Sequence, residues 1–333
     1  MNDASRASAG APGIGPARPW SVLPLLALAA CAASASSPME SPETVSAALK
    51  SIVTTPPIAT PIVAPIAAGT LDPPNPVARH DGTVLPHAVL IDINWGPNVD
   101  PATVALMPRF YSDLAHSTDY LAKLSEYGAG LGSFYGAVTI QPYDTNTVVD
   151  YNDILRELGL QITAGKLPDP SQFPGNGLYV VHLPPNVSLA LNGVIGCGSG
   201  PDSFIAYHGS GNAFASGLGS LTFIALPDFS PNSSQPGCAP GSVSNWFNGL
   251  TFAASHEVIE AITNPFHDPY GQGTGWYSDF GNGNEIGDNC NGFLTAMNGR
   301  GAAQWTVTAV WSNATQSCTN SELISTPAPL SGS

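Results

Sequence analysis

The chain has 333 residues, 43% of them hydrophobic and only 10% charged, with 35 glycines and 32 prolines. It is long enough to bury a core, and its loop-forming composition suits an extracellular surface. Nine Lys and Arg stand against 24 Asp and Glu for a net charge of −15, with no cation cluster to meet phosphates, which excludes nucleic acid as a partner.

Arg6 and Arg18 precede an apolar run, Val22 to Ala30, that closes in Leu28-Ala29-Ala30-Cys31. A basic stretch, an apolar segment too short to span a bilayer and then small residues read as a signal peptide over residues 1–31. The four residues ending at Cys31 have the form of a lipobox, with Cys31 as the lipidated residue; ordinary cleavage after Ala33-Ser34-Ala35 is the other outcome. Either way the chain is expected outside the cell or in its envelope, secreted or lipid-anchored. No other apolar run approaches roughly 18 residues, so no membrane span is expected. Residues 32–84 are rich in Ala, Ser, Pro and Thr and read as an extended tether; residues 321–333 read as a flexible tail. Residues 85–320 are left as one domain, without internal repeats.

Within it, Ala88 to Asn94 predicts a first strand, and Asp100-Pro101 opens a helix to about Ser117. A second helical stretch is expected from Asp119 to Glu126, a strand over Val138 to Gln141, and a helix over Val148 to Leu160. Leu178 to Leu183 and Leu221 to Leu226 are apolar runs of buried-strand length. A long helix is expected from Val243 to Thr263, stopped by Asn264-Pro265, and Trp305 to Ser312 alternates as a last strand. The class is α/β or α+β: a mixed sheet packed with helices, then a loop-rich C-terminal part.

With Cys31 set aside, Cys197, Cys238, Cys290 and Cys318 allow three connectivities in an exported chain. Proximity favours Cys197–Cys238 and Cys290–Cys318, and the lack of any CxxC pair argues against a four-cysteine zinc site.

Ser255-His256-Glu257-Val258-Ile259-Glu260 carries the chemistry. Residues four apart on a helix share a face, so His256 and Glu260 can meet one ion, while Glu257 lies about 100° round, beside it. This is the layout of the HExxH metallohydrolase helix with glutamate in place of the second histidine. The opposite stripe, Ala254, Val258, Ala261 and Ile262, is apolar and gives a core face. Downstream, Asn284-Glu285-Ile286-Gly287-Asp288 offers a third ligand, from Glu285 or from Asp288, the other orienting His256. A plain helical ion pair and a capped turn before Cys290 are the competing structural readings. His208 is a weaker candidate, as an oxyanion donor or third ligand against a satisfied loop histidine. Met297 reads as core, His267 and Asp268 as a turn, and no GxSxG elbow is present.

The run from Ser255 to Pro265, then Gly275-Trp276-Tyr277, Glu285 to Cys290 and Val310-Trp311-Ser312 with Cys318, resembles the exordium family, also called phosphate-induced protein 1, in its bacterial members. Cys197 and Tyr207-His208-Gly209 are similar to that family's upstream segments. The resemblance covers most of residues 85–320 and is specific in the last third. It implies a secreted or surface protein linked, in plants, to growth and cell-wall responses, and no established reaction.

Two functions follow. One is a zinc-dependent metallopeptidase-like hydrolase in which Glu257 is the general base; one histidine with two carboxylates also admits Ca²⁺ or Mn²⁺. The other is a non-catalytic surface protein that binds peptide or cell-wall material around a structural ion. Glu257 tips the balance to the hydrolase, because a structural site has no use for a carboxylate beside the water position.

Overall fold

The computed structural model describes residues 76–198, 204–212, 218–235, 238, 245–266, 275–279, 284–301 and 303–319. The signal-peptide and lipobox reading with Cys31, most of the tether, His267, Asp268 and the tail lie outside the described residues.

The fold is entered before residue 85. Val77 and Leu85 are buried, and β1 (Ala78–Arg79) pairs antiparallel with Trp276–Tyr277. Segment 76–84, which composition assigns to the tether, therefore belongs to the folded unit.

The strand expected first is β2 (Val89–Asn94), and its alternation serves two cores at once. Ile91 and Ile93 enter the core on one face of the sheet; Leu90 enters the other, with Asp92 and Asn94 buried behind it in the same phase. Asp100 caps α1 (Pro101–Ala115) by accepting from the Ala102 and Thr103 N–H groups, and Pro101 takes the first helical position, where its missing donor costs nothing. The expected second helix is a 3₁₀ helix, Leu121–Tyr127, closed by Gly128 at φ +84°, a conformation that favours glycine.

β3 (Ser133–Thr139) starts earlier than the predicted Val138–Gln141. It lies at the sheet edge with alternately exposed positions, so its apolar signal is diluted. Val148 and Val149 form a short β4 (Val148–Val149) and do not begin the next helix. That helix, α2 (Tyr151–Thr163), starts at a capping box made by Asp150 and Asp153. Then come β5 (Gly177–His182), β6 (Ser188–Leu191), β7 (Val194–Ile195), β8 (Tyr207–Asn212) and β9 (Ser220–Leu226). The main sheet runs β3-β2-β5-β9-β8, parallel except for β8, which is antiparallel to β9 at the far edge. The sheet is mixed, as expected.

The long helix is α3 (Trp246–Thr263), capped by Asn245. After it come β10 (Trp276–Tyr277), a 3₁₀ turn at Asp288–Cys290, the hairpin β11 (Leu294–Asn298) with β12 (Gln304–Thr308), and the pair β13 (Val310–Ser312) and β14 (Ser317–Thr319). The predicted last strand is split at Ala309, whose N–H turns to Phe293 O.

Helices cover both faces of the sheet. α1 and α3 share one core with Leu90, Val180, Ile224 and Val307, where Met297 is fully buried as a core residue. α2 packs Ile154, Leu155 and Leu158 on the other face against Ile91, Tyr179 and Phe223. Both disulfides form as paired in the sequence, Cys197–Cys238 with Cα atoms 4.5 Å apart and Cys290–Cys318 at 5.6 Å. Among the described residues, no helix is long and apolar enough to cross a membrane.

Candidate metal centre

α3 has only three titratable residues, His256, Glu257 and Glu260, and is otherwise apolar or small. Such a helix is buried nearly all round, and Ala254, Val258, Ala261 and Ile262 are fully enclosed. The two glutamates are therefore carried inside, Glu257 at 7% exposure and Glu260 at 3%. A carboxylate there requires partners, because unpaired burial costs several kcal/mol. As the four-residue spacing demands, His256 Nε2 lies 3.1 Å from Glu260 Oε1.

His208 is on a strand, not in a loop. β8 alternates, and Tyr207, Gly209 and Gly211 face α2 so closely that a Cβ on Gly209 would lie 2.3 Å from the Tyr151 ring. The period of two then turns His208 to the opposite face, towards α3. Its Nδ1 is 3.1 Å from Glu257 Oε2 and 3.8 Å from Glu260 Oε2, and its Nε2 is 3.4 Å from Glu285 Oε1. The weaker histidine candidate of the sequence is thus central.

The third segment is the turn before Cys290. Ile286 is fully buried and its carbonyl accepts from Trp311 N–H, which pins the turn, and the Cys290–Cys318 disulfide holds its end. Glu285 and Asp288 both reach the cluster, on different sides. Glu285 is buried against His208, whereas Asp288 lies 3.5 Å from His256 Nε2 with its side chain 41% exposed. The Asp288 N–H also donates to Glu260 Oε1 at 2.9 Å. Gly287 between them must be small: a Cβ there would stand 2.7 Å from Glu260 Oε1 and 3.1 Å from the His256 ring.

Asn264 is a residue the sequence reading used only as a helix stop. Its Nδ2 donates to Glu285 Oε1 at 2.7 Å, fully buried. The signal was present, since His256, Glu260 and Asn264 follow one another at the same four-residue spacing.

Four carboxylates and two imidazoles thus meet around a cavity of about 330 Å³, and among the described residues no Lys or Arg lines it. Burial would push His208 and His256 down, yet the glutamates beside His208 and the Glu260 and Asp288 carboxylates beside His256 hold both well above the usual imidazole value. Burial, then Asp288 and Glu285, raise Glu260 to about 8 against the pull of His256. Asp288, only partly buried, is raised by desolvation but lowered further by the hydrogen bond and charge of His256, and is lowered in sum. These shifts mark a buried cluster in which carboxylates outnumber imidazoles and each group shifts its neighbours. The donors also fit one chemically, because imidazole nitrogen and carboxylate oxygen suit divalent ions. Donor atoms of His208, Glu260 and Glu285 lie within 4.8 Å of one another, and so do those of His256, Glu257 and Glu260. Glu257 is therefore within reach of an ion as well as beside it.

Two other polar clusters differ in kind. Around Ser112, Asp119 and Arg300 a second depression opens, but its Asp113 is matched to Arg300 at 2.7 Å and to Trp305 Nε1 at 3.0 Å. Under α1, Asp92 and Asn94 of β2 lie beside His182 of β5, whose Nε2 meets Tyr111 Oη at 2.9 Å. His182 Nε2 is 3.5 Å from Asp92 Oδ1, too long for a good hydrogen bond. Burial raises Asp92 to about 8 and lowers His182 to about 3, so both are neutral.

Compared with protein-family models, with curated proteins and with solved structures, the chain gives no match.

Proposed function

We propose that this chain is an exported or surface-anchored, zinc-dependent hydrolase of the metallopeptidase type, with Glu257 as its general base and Ca²⁺ or Mn²⁺ as the other ions its donors suit. One observation supports this reading: His256, Glu257 and Glu260 project from one helix and line a cavity of about 330 Å³, into which the half-buried His256 opens. A structural ion needs ligands; it does not need room for a substrate beside them.

When bound, the ion supplies a Lewis acid and acidifies water at the site. The chain's own groups do the rest. Glu257 takes the proton of the attacking water as the C–O bond forms, then delivers it to the amine nitrogen as the C–N bond breaks. His208 Nδ1, at 3.1 Å, orients the Glu257 carboxylate. His256 and Glu260 would hold the ion with Asp288 beside His256, and Glu285 would reach Glu260 from the His208 side. The substrate is a peptide or peptide-bearing wall material. Three of the segments that resemble the exordium family, Tyr207–Gly209, Ser255–Pro265 and Glu285–Cys290, meet here, which supports reading the chain as a bacterial relative.

A second reading is a non-catalytic binding protein around a structural ion. It is favoured by the same contact of Glu257 with His208, which offers Glu257 a role other than base.

The test compares Glu257→Gln with Glu260→Ala for bound metal, melting temperature and cleavage of a broad peptide library. A hydrolase keeps its metal in Glu257→Gln and loses turnover by roughly 10²-fold or more, while Glu260→Ala loses metal and melts lower. Full metal occupancy with no cleavage by the wild type at any pH selects the binding protein. A wild type that never retains metal defeats both.

A further inference from the structure

Resting on the metal reading above, we propose that the centre holds two divalent cations, with the Glu260 carboxylate as the bridge between them. The donor atoms fall into two overlapping sets with only Glu260 in common: His208, Glu260 and Glu285, and His256, Glu257 and Glu260. Within Glu260 the two oxygens are divided. Oε1 faces His256 at 3.1 Å, and Oε2 faces His208 at 3.8 Å. A carboxylate that offers one oxygen to each of two imidazoles is the arrangement that spans the spacing of about 3.5–4 Å found in two-metal centres.

The remaining donors divide in the same way. Glu285 stands on the His208 side at 3.4 Å and Asp288 on the His256 side at 3.5 Å; Glu257 belongs to the His256 set and meets His208 Nδ1 at 3.1 Å. A single catalytic zinc takes three protein ligands and keeps one position open; six donor side chains exceed that requirement.

Charge points the same way. Glu257, Glu260, Glu285 and Asp288 are four carboxylates, and among the described residues no Lys or Arg lines the cavity. One divalent ion leaves two of those charges unmatched with both histidines neutral as ligands, three of the carboxylates being buried. Two ions match all four. In the hydrolase such a pair would hold the two oxygens of the reacting centre from both sides, and Glu257 keeps its place beside them.

The full chain, stripped of metal and titrated with Zn²⁺ alone, is expected to bind two ions per chain by calorimetry and by elemental analysis after dialysis. Loaded with Mn²⁺ alone it is expected to give the paramagnetic resonance spectrum of an exchange-coupled pair. Glu285→Gln removes a donor from the His208 side only and should retain one ion, with an uncoupled Mn²⁺ spectrum and an unchanged circular dichroism spectrum. One Zn²⁺ per wild-type chain overturns the pair and leaves the single-ion reading standing; no retained ion overturns both. Two ions with uncoupled Mn²⁺ spins in the wild type overturn the shared Glu260 bridge. The wild-type stoichiometry decides the question even if the variant fails to fold.

Discussion

Asn264 Nδ2 and Glu285 Oε1 are joined by a 2.7 Å hydrogen bond that ties the C-terminal cap of the central helix to the turn carrying the downstream carboxylates. The contact fixes which way Glu285 points, and orienting partners of this kind set ligand geometry. Asn264→Ala is expected to weaken metal binding about 10–100-fold, while Asn264→Asp sets two carboxylates face to face and weakens it further. Calorimetric titration with Zn²⁺ measures both. Wild-type affinity in Asn264→Ala would show that Glu285 is held by other means.

Gly287 has φ −77°, which any residue adopts, so an alanine there meets only a steric objection. Its Cβ would crowd Glu260 Oε1 at 2.7 Å, and Glu260 is locked by burial and by the Asp288 N–H. Gly287→Ala is expected to lower stability by about 1–3 kcal/mol through overpacking, and to lower metal affinity with it. Denaturant melts with and without Zn²⁺ separate the two effects; a variant with unchanged affinity would mean that Glu260 yields without leaving the cluster.

The Asp92–His182 pair gives a pH signature away from the proposed metal site. Unfolded, Asp92 ionises near 3.8 and His182 near 6.5; folded, they titrate at about 8 and about 3. Folded Asp92 holds a proton that the unfolded chain has released, so its contribution to stability falls as pH rises through about 4 to 8. His182 acts oppositely, because the unfolded chain holds the extra proton, and its contribution rises with pH from about 3 to 6.5. The two offset one another up to about pH 6.5, and above it only the decline from Asp92 remains. Asp92→Asn removes that decline. The stability of the variant relative to wild type should therefore grow from pH 6.5 to 8 in urea unfolding, and a difference constant across that range would refute a neutral buried Asp92.

Replacing Cys290 and Cys318 together by alanine is expected to cost about 3 kcal/mol from the freed loop. Because Cys290 closes the turn that begins at Glu285, the same change should weaken metal binding. The Cys197–Cys238 pair, outside that turn, serves as the control. Equal losses of affinity in the two double variants would show that the disulfide acts on global stability alone.

The sequence showed the helix, its three titratable residues and both disulfides, because four-residue periodicity and cysteine spacing are local or countable. It did not show where His208 belongs. That depends on an edge strand whose glycines admit α2 on the other face, and a Tyr-His-Gly-Ser-Gly string has little strand signal of its own. The choice between Glu285 and Asp288 was likewise open in one dimension, and in space both reach the cluster, on opposite sides. Strand boundaries failed where solvent or a single turned residue interrupts the pattern, as at β3 and at Ala309. Asn264 was legible by spacing and was masked by its other role as the end of a helix.

The donors come from three separated stretches of chain: an edge strand near residue 208, a helix near 256–260 and a turn at 285–288. A helix alone can preform only the His256–Glu260 pair, whereas every contact of His208 or Glu285 waits on long-range closure of the sheet and the C-terminal hairpins. Under the proposed metal reading, capture of a cation at full affinity is thus confined to molecules that have completed their tertiary assembly. Occupancy becomes a mark of maturity, and an ion added late should lengthen the lifetime of the native state without hastening its formation.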